Sequence, residues 1–314
     1  MRLPFGGHQT ACSRAKLALW GAILGILLVS AALRFFWLDR YPLGWHHDEA
    51  LMGVMAGEVY RGEERPIFFR QYLGQEPLYI YLSAGMMAVM GGDQDILPLR
   101  LTSALVGLLT VWLTFLIARR LFGARVGLLA MALIGASFWQ VMSSRNGYRS
   151  ITQPLLEALA VYLLLVARSR KGLIWYALTG LALGGALYTY LGARAFPGVF
   201  IGFGCWLLIR GARPTRQDLL RIGTLAAVAI VVVAPLAAFF LLNPGTFSAR
   251  MQQVFIFLPG VNGGHPWEML ADNTLKMVRS FTISGEPMWR YNIPGRPMFV
   301  GAVGIALYGG AIVL

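Results

Sequence analysis

Residues 17–49 read LALWGAILGILLVSAALRFFWLDRYPLGWHHDE. The first part, Leu17–Leu33, carries no charge and follows Arg2, Arg14 and Lys16. A helix needs about 20 apolar residues to cross a hydrocarbon core. The apolar core of a cleaved secretory signal is shorter, roughly 7–15 residues. The run therefore reads as a signal anchor, the first of several membrane spans. The stretch ends on His46-His47-Asp48-Glu49, at the head of an acidic loop. Of the 14 acidic residues in the chain, nine lie between Asp39 and Asp95.

Composition agrees with a polytopic membrane protein. The 314 residues are 57% hydrophobic and only 13% charged, with a mean hydropathy of +0.61. Soluble domains carry about 25% charged residues. The net charge of +13 does not point to nucleic acid, because the arginines form short clusters between apolar runs instead of one basic patch. Cys12 and Cys205 make no disulfide framework. Cys205 falls inside an apolar run, as a small buried hydrophobe would.

Apolar segments at about 17–38, 99–118, 126–142, 151–167, 173–191, 195–209, 220–242 and 299–314 predict an all-α bundle in a single domain. The last run reaches Leu314, so the natural protein is expected to continue. Pro77–Gly91 has 15 residues, about 22 Å as a helix, against about 30 Å of hydrocarbon. It is expected to lie at or dip into the interface, with Pro77 at the first helical position. Charge tests that choice. If this helix does not cross, Arg119–Arg125, Arg168–Lys171 and Arg210–Arg221 all fall inside. They hold three, three and four basic residues, as the positive-inside rule requires. The N-terminus is then cytoplasmic, and segments 39–98 and 243–298 are external loops of a multi-pass plasma-membrane protein.

Three constellations carry candidate chemistry. Asp48 and Glu49 follow the first span and precede Leu51, Met55 and Val59 at helical spacing. Read alone, Asp48 serves as an N-cap and Glu49 as a first-turn acid. The functional alternative is a general base at the membrane surface. No cofactor is demanded by these residues. A divalent cation at His46 and His47 beside Asp48 stays open, although adjacent His side chains point apart on most backbones. The second constellation, Ser143–Ser150, places Arg145 and Arg149 outside, against the bias of the other clusters. Arginine forks match phosphate oxygens. Glu157 lies within the next span and is expected to find Arg149 or Arg145, since an unpaired charge in a bilayer is costly. Arg100 and Arg194 add basic groups at outer span ends. The third is Glu286, Trp289, Arg290, Tyr291, Asn292 and Arg296, on a segment with three prolines and two glycines that excludes a regular helix. It reads as a loop over sugar or acceptor.

Carboxylates ringed by outer-face arginines suit transfer of a sugar from a polyprenyl phosphate. The phosphate already leaves well, so one base and cationic stabilisation suffice. A transporter or flippase of a lipid-linked anion is the alternative. It is usually marked by broken helices in paired halves, and no paired halves are seen.

The order of motifs resembles the GT-C glycosyltransferases: Asp48-Glu49 after the first span, Gln75-Glu76-Pro77-Leu78-Tyr79 before a short helix, Arg100–Leu105 opening the next span and Arg119–Gly123 at the inside turn. The resemblance covers roughly Leu17 to Pro297. It is to glycosyltransferase family 39, which includes protein O-mannosyltransferases and lipid A aminoarabinose transferases. It implies a GT-C bundle whose external loop carries juxtamembrane helices. It also implies a polyprenyl-phosphate-linked sugar as donor, inversion at the anomeric carbon and an extracytoplasmic active site. The acceptor, a protein, lipid or polysaccharide, stays open, and no nucleic acid is involved. Asp48 matches the catalytic acid of the family, Glu49 its neighbour, and Arg100 a family arginine. Where many members have Asp before a proline, this chain has Gln153-Pro154, so a second carboxylate falls to Glu157. Glu76 stands where some members carry a basic residue. Binding of the donor phosphate then falls to Arg70 or to Arg100, Arg145, Arg149 and Arg194.

Overall fold

The computed structural model describes residues 7–92, 95–211, 213–249, 251–288 and 292–313. Its helices, in chain order, are α1 (Gly7–Phe35), α2 (His47–Tyr60), α3 (Leu78–Met90), α4 (Leu97–Phe122), α5 (Ala124–Ala136), α6 (Phe138–Arg145), α7 (Thr152–Arg170), α8 (Leu173–Ala186), α9 (Phe196–Ile209), α10 (Arg216–Leu242), α11 (Pro244–Ala249), α12 (Met251–Val254), α13 (Pro259–Asn262), α14 (Pro266–Thr282) and α15 (Ala302–Val313). Among the described residues no strand forms, and one isolated bridge joins Phe69 to Gln75. Among the described residues five helices are long and apolar enough to cross a membrane: Lys16–Phe35, Leu97–Phe122, Arg149–Arg170, Leu191–Ile209 and Arg216–Leu242. The bent pair α5–α6 makes a sixth. The 14 residues of α8 reach only about 21 Å.

The segment expected as one span at 126–142 is broken at Ser137, whose φ of −61° and ψ of 126° are extended, and the two halves meet at 55°. A break frees backbone carbonyls that must find donors away from water. Arg34 of α1, fully buried, donates to Gly135 O at 2.9 Å and Ser30 O at 2.7 Å, and also bonds the Gln140 side chain. Gln140 in turn donates to Gly107 O of α4 at 3.0 Å. A cation inside the bundle thus caps the broken helix.

Helix α3 packs on α2 and α4 through Tyr79, Ile80 and Met87, all fully buried. The Tyr79 hydroxyl donates to Leu99 O at 2.8 Å and pairs with Ser103 Oγ at 2.9 Å. Pro77 is its N-cap, one position before the expected place, and Gly91 closes it with a φ of 77°. Further into the chain α4 packs on α5 and α7, α7 on α8, and α8 on α10. Gly184 of α8 lies so close to α10 that a Cβ there would stand 2.8 Å from Val232 Cβ. The two ends of the bundle differ. The arginine loops gather at one end, where Arg221 donates to Lys171 O at 3.2 Å and Arg120 to Leu165 O at 3.1 Å. The acidic loop lies at the other.

Candidate active site

The acidic turn is shaped by the start of α2. His46 is extended, with φ −82° and ψ 147°, and the chain turns helical at His47. His46 Nδ1 accepts the Asp48 N–H at 3.2 Å, and the Glu49 carboxylate reaches back to the His46 N–H at 3.3 Å. This is a capping box, with two orphan helix donors satisfied reciprocally. The N-cap is therefore His46 and not Asp48, because an extended His46 brings its own ring nitrogen over the first turn. The same change of backbone places the two imidazoles 4.4 Å apart instead of turning them away from each other. They flank Asp48, whose Oδ1 lies 3.1 Å from His47 Nε2 and whose Oδ2 lies 3.7 Å from His46 Nδ1. Ligand atoms of the three residues fall within 4.8 Å of one another. A divalent cation would be held by His47 and Asp48, while a bond from His46 Nδ1 would compete with the cap.

Asp48 and Glu49 part company. The Asp48 side chain is 24% exposed, whereas that of Glu49 is 4% exposed and turns into the protein. Glu49 faces Arg100 of α4, with Nε to Oε1 and Nη2 to Oε2 both at 3.4 Å, and accepts the Gly147 N–H at 2.6 Å. Arg100 also donates to Leu38 O at 3.3 Å and Gly44 O at 2.9 Å. Gly147 has no room for a side chain: a Cβ would stand 2.9 Å from Leu99 Cβ and 3.3 Å from Glu49 Oε1. Glu49 and Arg100 thus lock α2, α4 and the loop after α6 together beneath Asp48.

A second cluster lies along the same rim. Glu76, buried, directly follows the turn closed by the Phe69–Gln75 bridge, and the Leu78 N–H donates to Tyr188 O at 3.0 Å. Its carboxylate faces two guanidiniums, Arg149 Nε at 3.2 Å and Arg194 Nη2 at 3.5 Å. Neither Arg149 Nε nor Glu76 Oε2 has an aligned hydrogen-bond partner among the described residues. The contact is electrostatic, and both groups keep hydrogen-bonding capacity. The Arg149 guanidinium lies 5.6 Å from the Tyr148 ring and 5.1 Å from the Tyr190 ring. Arg194 lies against Phe240 and Phe247 at 5.2 and 4.8 Å.

Tyr148 connects the clusters. Burial pushes its phenol well above the ordinary range; Arg149 opposes this, while Tyr190 and Asp48 add to it. Beside the second cluster a groove of about 470 Å³ opens between Arg65, Pro77, Leu78, Tyr81, Leu156 and Tyr188.

The remaining candidates lie elsewhere. Arg145 clamps the end of α1, donating to Leu33 O and Phe36 O at 3.0 Å, Arg34 O at 3.1 Å and Tyr41 O at 3.0 Å. Glu157 accepts from Gln153 Nε2 at 2.8 Å, one helical turn away. Neither Arg149 nor Arg145 reaches it as expected, because one is drawn to Glu76 and the other to the α1 carbonyls. Arg70 donates to Asn243 at 2.6 Å. In the third constellation, Asn292 is buried and ties its own loop, donating to Glu286 O at 3.1 Å and Arg296 O at 2.6 Å. Glu286 accepts the Met288 N–H at 3.1 Å, and Arg296 stacks over Phe138 at 4.8 Å. Arg290 and Tyr291 lie outside the described residues, as does Trp289. The sequence did not point to Arg34, and although Gly147, Tyr148 and Tyr190 fall in the stretches around Arg149 and Arg194, it gave them no role. Only the pair Tyr188 and Tyr190, beside Arg194, offered a signal, and only for Tyr190.

A family model described as dolichyl-phosphate-mannose-protein mannosyltransferase matches residues 75–239, more than half of the chain. No curated protein matches it. Among solved structures, the oligosaccharyltransferase of Archaeoglobus fulgidus, in complex with Zn and sulfate, is similar with a TM-score of 0.59 at 16% identity, covering 82% of this chain and 39% of that one. ArnT from Cupriavidus metallidurans bound to undecaprenyl phosphate gives 0.56 at 23% identity, covering 83% and 52%. The apo form of ArnT gives 0.54 at 20% identity, covering 86% and 51%. The chain thus spans about two-fifths to one-half of the length of these structures. The likeness establishes the fold, a GT-C membrane bundle.

Proposed function

The chain belongs to the dolichyl-phosphate-mannose-protein mannosyltransferase family, and on that premise we propose that it is an inverting glycosyltransferase that moves a sugar from a polyprenyl-phosphate donor to an acceptor on the extracytoplasmic face. The observation that carries this reading is the arrangement of one rim. A partly exposed carboxylate, Asp48, stands at one end, and two guanidiniums sharing a single carboxylate, Arg149 and Arg194 around Glu76, stand at the other. Two cations against one anion leave a net positive charge where a phosphate would lie.

In this reading the acceptor hydroxyl attacks the anomeric carbon as the bond from that carbon to the phosphate oxygen breaks. The acceptor proton passes to an Asp48 oxygen. The electron pair of the broken bond stays on the phosphate, where Arg149 and Arg194 meet it. Base and leaving group lie on opposite sides of the anomeric carbon, which gives inversion. Glu49 and Arg100 are positioning residues that hold Asp48 to the rim. The groove beside Pro77 and Leu78 gives the prenyl units next to the phosphate an apolar path. The undecaprenyl phosphate bound by ArnT, a protein of the same fold, supports such a donor. A cation at His47 and Asp48 would supply charge at the acceptor end. The arginine loops at the opposite end of the bundle support an extracytoplasmic site.

The test is turnover of a panel of polyprenyl-phosphate sugars by purified membranes, with products read by mass spectrometry. General-base catalysis contributes about 10²–10⁴-fold, so Asp48→Asn is expected to lose at least about 100-fold. Near-wild-type turnover would remove Asp48 from the mechanism.

A further inference from the structure

The rim has a group that the mechanism above does not use. Tyr148 lies between the two clusters, and the chain on either side of it is pinned to both of them. Its neighbour Gly147 donates to Glu49 at 2.6 Å, under Asp48. Its other neighbour, Arg149, faces Glu76 at 3.2 Å. Extended backbone at Tyr148, with φ −132° and ψ 134°, spans the gap. The ring meets Tyr190 edge-on, with centroids 6.3 Å apart.

In the mechanism proposed above, a group between the base and the leaving phosphate would stand beside the bond that breaks. Attack from the Asp48 side pushes charge onto the oxygen that linked sugar to phosphorus. The two arginines lie at the phosphate end, and the Tyr148 phenol feels both Asp48 and Arg149. Burial and the Asp48 carboxylate both favour its neutral form, so it keeps a proton to donate.

We propose that the Tyr148 hydroxyl donates a hydrogen bond to the bridging phosphate oxygen as the bond to the anomeric carbon breaks. Tyr148 is then a catalytic residue of the transfer, and Tyr190 positions it. The proton stays on Tyr148 throughout, and the acceptor proton still goes to Asp48. No other reactant is required. This proposal rests on the reading of Asp48 as base and of Arg149 and Arg194 as phosphate ligands.

Tyr148→Phe keeps the ring that Arg149 and Tyr190 pack against and removes only the hydroxyl. A donor aimed at charge that develops in the transition state is worth about 10²–10³-fold in kcat. With a polyprenyl-phosphate-linked hexose that the wild type turns over, kcat is expected to fall about 100-fold. KM for that donor should stay within about twofold, the pattern of an interaction made only in the transition state. An unchanged kcat, or a loss confined to KM, overturns the proposal.

A second probe covers the case in which Tyr148→Phe fails to fold: 3,5-difluorotyrosine at position 148. It ionises at lower pH, so the alkaline limb of kcat should move to lower pH than in the wild type. Asp48, Arg149 and Tyr190 face the phenol in both proteins and are unchanged. A limb that does not move overturns the proposal. Asp48→Asn is assayed in parallel. If it is active, the underlying reading fails. If it is inactive while Tyr148→Phe keeps wild-type kcat, the assignment of Tyr148 alone fails.

Discussion

Arg100→Met removes the cation beneath the acidic turn and leaves a side chain of similar reach. The Glu49 side chain, 4% exposed, then keeps only the Gly147 N–H at 2.6 Å and the His46 N–H at 3.3 Å. Removing one partner of a buried ion pair costs about 3–5 kcal/mol, because the remaining charge is neither paired nor hydrated. Both contacts between Glu49 and Arg100 measure 3.4 Å, longer than the 2.7–2.9 Å usual for charge-assisted bonds. The expected cost therefore lies near the lower limit, about 3 kcal/mol. Adding Glu49→Gln removes the stranded charge and keeps an acceptor for Gly147. What stays lost is the donation to Leu38 O and Gly44 O, at about 1 kcal/mol each. The double variant should thus be more stable than Arg100→Met alone, by about 1 kcal/mol. The assay is thermal unfolding in mild detergent, followed by size-exclusion chromatography of the heated samples. If Arg100→Met melts with the wild type, or the double variant melts below the single one, the pair does not bear on the fold as argued.

Three other perturbations separate scaffold from chemistry. Arg34→Met leaves Gly135 O at the α5–α6 break without its donor and should lower stability by about 1–3 kcal/mol; a variant that melts at or above the wild-type temperature would refute the capping role. Gly147→Ala forces a Cβ toward Leu99 and Glu49 and should displace the rim. The rate loss can reach about 100-fold for a 1 Å misplacement, measured as turnover in protein that still elutes as a single species. Glu76→Gln takes away the carboxylate that competes with phosphate for Arg149 and Arg194. Free polyprenyl phosphate should then inhibit more strongly, and weaker product inhibition would count against a phosphate site there.

Much of the bundle was legible in the chain before any contact was known. Transfer of apolar residues into hydrocarbon is a local, additive quantity, so the segments at 99–118 and 220–242 fall within single helices, while the one at 17–38 leaves the helix after Phe35. The arginine loops show a bias that depends only on composition, and they do lie together at one end. The short helix after Pro77 was visible from its length and its turn residues. The break at Ser137 was not. A serine tolerates helix and bend alike, and what holds the bend open is Arg34, about a hundred residues away in the chain. The N-cap shifted from Asp48 to His46 for a similar reason, since a capping imidazole depends on backbone angles that residue identity leaves free.

The site shows the same division. Sequence alone singled out Asp48, Glu49, Arg100, Arg149 and Arg194 as charges near the ends of spans, while Glu76 came only with the family resemblance. It determined which residues needed partners, but not which partners they took. Packing of α2, α4 and the turns after α6 and α8 decided that. It sent Glu49 inward to Arg100, left Asp48 partly exposed, gave Arg149 to Glu76 instead of Glu157 and brought Arg194 to the same carboxylate, and set Tyr148 between the clusters. Coulomb attraction and hydrogen bonding act over a few ångströms, and distances of that order between residues 50 to 120 positions apart exist only once the helices have docked.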